Sequence, residues 1–276
     1  MTAILLSLVS SLMWGMSDFA GGLLSKRRPA VVVVGIGACV GVGLATVGVL
    51  FHDGWHGPYD WLWWGMAAGT AGSAGLVCYY LALSTGTMGV VAPVTSLGTV
   101  VPVIVGLASG ETPSGVTASG IAVAIVGIVL TSGPEFAAGA SMRPVVIAAI
   151  GGVCFGFFFV FMDRGANESP ILTLWSMRAT VALVFVVAAL GRRSMFGVRG
   201  LDYLWIVGIA SFDLGANLTF GIASTKGYVS ITSVLASLFP VVTVLLARMV
   251  LKERLRLIQK AGVVVTMTGV ALISAG

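Results

Sequence analysis

Runs of roughly 20 apolar residues, each long enough to cross a hydrocarbon core about 30 Å thick, recur along this 276-residue chain. In lipid every backbone N–H and C=O must be satisfied inside the protein, so such runs can only be helices or strands of a closed barrel. They are continuously apolar, without the alternation of barrel strands, and this selects helices. Composition excludes the soluble alternative. Charged residues make up 9% of the chain, against about 25% in soluble domains, and the mean hydropathy is +1.06.

The apolar runs between Gly, Pro and charge predict an all-α integral membrane protein with ten transmembrane helices. They lie at about 2–24, 31–50, 61–83, 88–108, 114–132, 143–162, 171–190, 201–222, 228–249 and 256–275. The first, "TAILLSLVSSLMWGMSDFAGGLL", lacks the basic leader of a signal peptide and reads as a spanning helix. Cys39, Cys78 and Cys154 fall inside spans, where Cys packs as a small hydrophobe. Neither metal nor cofactor is expected. The net charge of +5 resides in loops, so it reports orientation in the bilayer rather than nucleic-acid binding.

An internal repeat is visible in the chain. Placing Gly89 on Gly227 puts Val91 on Val229, Leu97 on Leu235 and Pro102 on Pro240 without a gap. After a four-residue gap, about one helical turn, Glu111 meets Glu253, Gly120 meets Gly262 and Gly127 meets Gly269. "MWGM" likewise matches "CFGF", placing Trp14 and Gly15 on Phe155 and Gly156. These matches divide the chain into a five-helix repeat over 1–133, a linker over 134–142 and a second repeat over 143–276.

Five is odd, so the second repeat must lie inverted in the bilayer. Charge tests this independently. Odd-numbered loops carry eleven Lys and Arg: Lys26, Arg27 and Arg28; Arg143; Arg192, Arg193 and Arg199; and Lys252, Arg254, Arg256 and Lys260. Even-numbered loops carry two, Arg164 and Lys226. The positive-inside rule then puts "LKERLRLIQK" in the cytoplasm and both termini outside. Inverted repeats are a common architecture of secondary transporters, with substrate bound near mid-depth between the repeats.

The "WG" of the first span, "GxVxxxxxLxxxxP" in the fourth and ninth, and "LKER" followed nine residues after its Glu by Gly occur in order. In this the chain resembles the EamA-type transporters of the drug/metabolite transporter superfamily, over nearly its whole length. The resemblance implies a carrier of the bacterial plasma membrane, often an exporter of amino acids, metabolites or drugs. At "GLASGETP" the first repeat departs from the fuller charged turn of that pattern.

The residues suggest where a polar site could lie. A charge near the centre of a span costs about 2.5–3.5 kcal/mol on insertion scales. Asp213 is about ten residues into the eighth span, with Asn217 one turn on along the same face, and Arg178 lies in the seventh. At 1.5 Å per residue the depths of Arg178 and Asp213 differ by only about 5 Å, so the two can pair. The pair reads either as a permanent bridge between two buried charges or as a site where substrate or a proton competes. Asp18, near the inner end of the first span, belongs to the site or reaches the interface toward Lys26.

Thr95 and Thr99 match Ser233 and Ser237, each pair at i, i+4 on one helix face. Their hydroxyls line a cavity between the fourth and ninth helices or bond their own backbone. Trp14, Tyr79 and Phe155 are candidates for the cavity wall. Pro102 and Pro240, inside the fourth and ninth spans, are hinges or static kinks.

The function expected is a secondary transporter working by alternating access on a small molecule, as a monomer or homodimer. No ATP-binding motif is present, so the drive is a gradient or exchange. The rival classes are an intramembrane enzyme and a structural or receptor-like membrane protein. His52 and His56 are the chain's two histidines and share one loop apart from Ser73, which disfavours a Ser–His hydrolase. The chain is not expected to be an enzyme.

The charge count makes a direct prediction. With Cys39, Cys78 and Cys154 replaced by Ser, an impermeant thiol reagent added outside will label Gly57→Cys and spare Leu255→Cys. The reverse pattern overturns the orientation.

Overall fold

The computed structural model describes residues 1–25, 28, 30–51, 59–85, 94–95, 97–131, 142–192, 200–250 and 256–275. Lys26, Arg27, His52, Trp55, His56, Gly89, Val91, Pro93, Arg193, Arg199 and the stretch 251–255 lie outside them. The described helices are Thr2–Ser25 (α1), Ala30–Leu50 (α2), Asp60–Thr85 (α3), Val100–Ala108 (α4), Gly115–Thr131 (α5), Met142–Ala166 (α6), Pro170–Arg192 (α7), Asp202–Ser224 (α8), Val229–Ala236 (α9), Phe239–Val250 (α10) and Leu257–Ala275 (α11). A 3-10 turn, Leu97–Thr99, leads directly into α4.

Local chemistry explains several of the boundaries. Ser114 Oγ accepts the Thr117 N–H at 3.1 Å and caps α5. Pro170 opens α7, where its missing N–H has no intrahelical partner to lose. Gly110 after α4 and Gly200 before α8 have φ of 95° and 55°, values a side chain resists.

Five of these helices are long and apolar enough to cross a membrane: Thr2–Leu24, Val32–Leu50, Met142–Ala166, Pro170–Val187 and Asp202–Ser224. The ten-span expectation is therefore met in part by length and composition. Residues 88–93 and 96 of the fourth expected span lie outside the described residues. The ninth expected span is divided between α9 and α10, and the fourth changes from 3-10 to α geometry at Thr99, which the repeat alignment places on Ser237.

The expectation that Pro102 and Pro240 interrupt continuous helices is corrected by these breaks. Pro102 is the third residue of α4 and Pro240 the second of α10. In a first turn the proline removes no intrahelical bond. Each marks where a half-helix begins.

The packing obeys the repeat. α3 lies on α6 as α1 lies on α8, and α1 meets α9 and α10 as α6 meets the 3-10 turn and α4. The equivalent helices α5 and α11 pack on each other. A Cβ on Gly127 would stand 2.7 Å from Thr266 Cα, and one on Gly269 would stand 2.7 Å from Ala124 Cα. The alignment that pairs Gly127 with Gly269 also pairs Ala124 with Thr266, so the seam is a reciprocal two-fold contact. Close backbone approach at small residues is how helices associate in lipid, where burying apolar surface brings no gain. Beside this seam, Val234, Leu235 and Leu238 join Ile121, Ala124, Ile128 and Ile273 in one buried cluster.

The repeat equivalents α1 and α6 run in opposite directions. At one end of the bundle Ala3 faces Gly227, Arg164 reaches Ser109, and Val49, Trp61 and Leu172 form a cluster. At the other, Arg28 pairs with Asp202 at 2.7 Å and Leu24 packs with Val33 and Ile206. α1 therefore leaves the first end, while its equivalent α6 arrives there.

The α5–α11 seam has no room for side chains. Gly127→Val will destabilise the protein by about 1–3 kcal/mol through overpacking, read as a lowered thermal midpoint of the full chain. Gly115→Ala, where nothing among the described residues lies within 4 Å of the new Cβ, will leave it unchanged. Equal midpoints for the two variants would refute the packing assignment.

Candidate functional site

α1 and α8 run antiparallel and are joined by a ladder of donors on one face of α1. Ser10 Oγ donates to the Ala216 carbonyl at 2.7 Å, Trp14 Nε1 to Asp213 Oδ1 at 3.0 Å, and Ser17 Oγ to the Ile209 carbonyl at 3.1 Å. The spacing i, i+4, i+7 keeps all three donors on the same side of the helix. The ladder crosses between the repeats, and its middle rung places an indole against a carboxylate in mid-helix.

Asp213 is the twelfth of the 23 residues of α8. Its Oδ2 pairs with Arg178 Nη1 at 2.6 Å, and Arg178 comes from α7. Asn217, one turn along α8, donates through Nδ2 to the Asp213 carbonyl at 2.6 Å and to Oδ1 at 3.2 Å. Three helices thus supply a carboxylate with donors on both oxygens. The Arg178 side chain is 9% exposed and that of Asp213 is 33% exposed. The acid faces open space while the base is packed away.

Asp18 lies one turn beyond Trp14 on α1, on the same side of the helix. It is exposed and interacts electrostatically with Asp213. The site thus holds two acids and one base. Trp14 is enclosed by rings, with centroids at 6.3 Å from Phe158, 5.7 Å from Phe159, 6.2 Å from Phe220 and 6.2 Å from Phe239. Phe159, Phe220, Met162, Leu174 and Met177 continue this into a buried core. Phe239 stands at the start of α10, so the helix break is part of the same wall.

The other candidates sit apart from Asp213 in the packing. Phe155 fills the space left by Gly75 on the α3–α6 seam, and Tyr79 packs on the Ala82 and Ala148 cluster of that seam. Thr95 donates to the Ala148 carbonyl at 3.4 Å, and Thr99 is buried at the 3-10 turn. Ser233 and Ser237 donate to the Val229 and Ser233 carbonyls of their own chain segment at 2.5 and 2.7 Å. All four hydroxyl residues are buried.

Sequence reading passed over Glu111. Its Oε1 accepts the Val229 N–H at 2.6 Å and Oε2 the Ser230 N–H at 3.2 Å, so a loop of the first repeat caps α9 of the second. A carboxylate there also complements the positive helix N-terminus. Gly106 makes room, since a Cβ on it would strike the Glu111 carboxylate. Around it, Arg164 donates to Ser109 at 3.0 Å. The available signal was a lone acid in an otherwise uncharged loop, matched across the repeat to Glu253.

The model of the EamA-like transporter family matches residues 1–133 and 142–275. No curated protein matches the chain. A solved crystal structure, described only as that of a protein, is 17% identical with a TM-score of 0.80, covering 99% of this chain and 96% of its own. At that identity the likeness shows the fold alone.

Proposed function

Because the chain belongs to the EamA-like transporter family, we propose that it is a secondary carrier, an exporter of small metabolites, amino acids or drug-like compounds. It works by alternating access between two inverted five-helix repeats of ten spans, in the bacterial plasma membrane with both termini outside. The observation that carries this reading is Asp213, a mid-helix carboxylate on the second repeat, bonded to Trp14 of the first and to a buried arginine. A purely structural helix bundle in lipid gains nothing from such a group, which costs about 2.5–3.5 kcal/mol to insert.

The cycle follows from which contacts cross between the repeats. One end is joined by Glu111 to Val229 and Ser230, the other by Arg28 to Asp202, and the middle by Trp14 to Asp213. Opening either end requires its own link to break. A substrate or proton that engages Asp213 changes the hold of Trp14 and Arg178 on it, and so favours one access state over the other. The breaks before α4 and α10 supply places where half-helices reorient, and the ring of Phe158, Phe159, Phe220 and Phe239 around Trp14 excludes water from one side of the site. Thr95, Thr99, Ser233 and Ser237 support these half-helices from within.

Asp213→Asn separates this role from a static bridge. The functional role predicts a well-expressed protein whose transport in proteoliposomes is lost or no longer responds to pH. A static bridge predicts low folded yield, because Arg178 is left buried and unpaired at a cost of about 3–5 kcal/mol. Normal flux with a normal pH response contradicts the proposal.

A further inference from the structure

Hydrogen-bond accounting at the centre leaves an imbalance. Asp213 receives donors on both oxygens, from Trp14, Asn217 and Arg178. Arg178 uses only Nη1 toward it. Its Nε and Nη2 are fully buried and have no hydrogen-bond partner among the described residues. An unpaired buried N–H costs about 1–3 kcal/mol, more on a charged group. The site is short of acceptors, not donors.

The two unpaired atoms form one edge of the guanidinium. The Nε–H and Nη2–H bonds on that edge run parallel and match the two oxygens of a carboxylate. Lysine could not offer this fork. Its surroundings show how it is reached. Gly41 of α2 lies against Arg178, and a Cβ there would be 3.3 Å from Cδ and 3.8 Å from Nε. α2 belongs to the first repeat and Arg178 to the second, so the edge is covered by contact between the repeats. Motion that separates α2 from α7 uncovers it.

We propose that the Nε–Nη2 edge of Arg178 binds the carboxylate of the transported molecule. This rests on the carrier reading above and names the substrate class. A monoanion suits the site better than a dianion, because Asp213 already neutralises Arg178 and Asp18 acts electrostatically on Asp213. Arg178 then stays bound to Asp213 through Nη1 while the other edge holds substrate, and Gly41 keeps the approach free of side-chain bulk.

Acetate is the smallest probe with the required group and acetamide its neutral analogue. In the full chain in nanodiscs, with 15N-labelled arginine, the Arg178 Nε–H resonance is assigned by its loss in R178K. Acetate at constant ionic strength will displace it downfield to saturation, and acetamide will not. No displacement, or the same displacement by acetamide, overturns the proposal. So does a displacement of equal size produced by Asp18→Asn without acetate, since the edge would then answer to Asp18.

Flux in proteoliposomes separates the two readings. Saturable acetate binding at Arg178 in a chain that transports nothing removes the carrier reading and leaves the fork. Transport in which R178K keeps the wild-type preference for carboxylates over their amides removes the fork alone. The expected result is loss of that preference by tenfold or more. The double variant Arg178→Gln with Asp213→Asn, which removes both charges together and so avoids a lone buried ion, must lose acetate's own response, saturation transfer from the protein to the acetate methyl, while remaining folded. A retained response refutes the site.

Discussion

A carboxylate in the middle of a membrane helix must be satisfied by the protein, because the hydrocarbon around the bundle offers it nothing. Asp213 meets this demand with donors from α1, α7 and α8 itself. Much of the central architecture is arranged around that. The small hydroxyl residues Ser10 and Ser17 let α1 run close against α8 and hold Trp14 in register. The aromatic core around Trp14 fixes the indole from the other side, and the break between α9 and α10 brings Phe239 into it. Interhelical hydrogen bonds of this kind are each worth about 0.6 kcal/mol on average, so the register comes from the ladder as a whole.

The backbone is two-fold, whereas the chemistry is one-sided. α5 and α11 meet through reciprocal glycine contacts, and Gly15 and Gly156 each face the start of a half-helix, at Phe239 and at its equivalent Val101. Yet α2 carries no charged residue, and in α3 only its first residue, Asp60, is charged, while their equivalents α7 and α8 carry Arg178 and Asp213. The first repeat contributes a donor through Trp14, an acid through Asp18 and room through Gly41. For the carrier proposed above, symmetry supplies the geometry of alternating access, and its violation supplies the site.

The all-helical, two-repeat character of the fold could be read from the chain because the bilayer imposes length and apolarity directly on sequence. The repeat was visible as matched Gly and Pro, and the closeness of Arg178 and Asp213 followed from their similar depths on two helices joined by a short connection. The bond from Trp14 to Asp213 could not be read, since it depends on the antiparallel register of α1 and α8, which no local pattern encodes. Glu111 escaped because its partners are backbone N–H groups, which leave no side-chain signature at Val229 or Ser230. The prolines were read as hinges or static kinks inside continuous helices because the sequence does not mark that α4 and α10 begin just before Pro102 and Pro240.

The central claim is that the state of Asp213 sets how far apart the repeats stand. Spin labels at Ser114 and Thr225, in the two loops joined near Glu111, report that separation by pulsed electron resonance in nanodiscs. The account predicts two distance populations in the otherwise unaltered chain, and a redistribution between them when Asp213→Asn is introduced. Identical distributions with and without that substitution would contradict it.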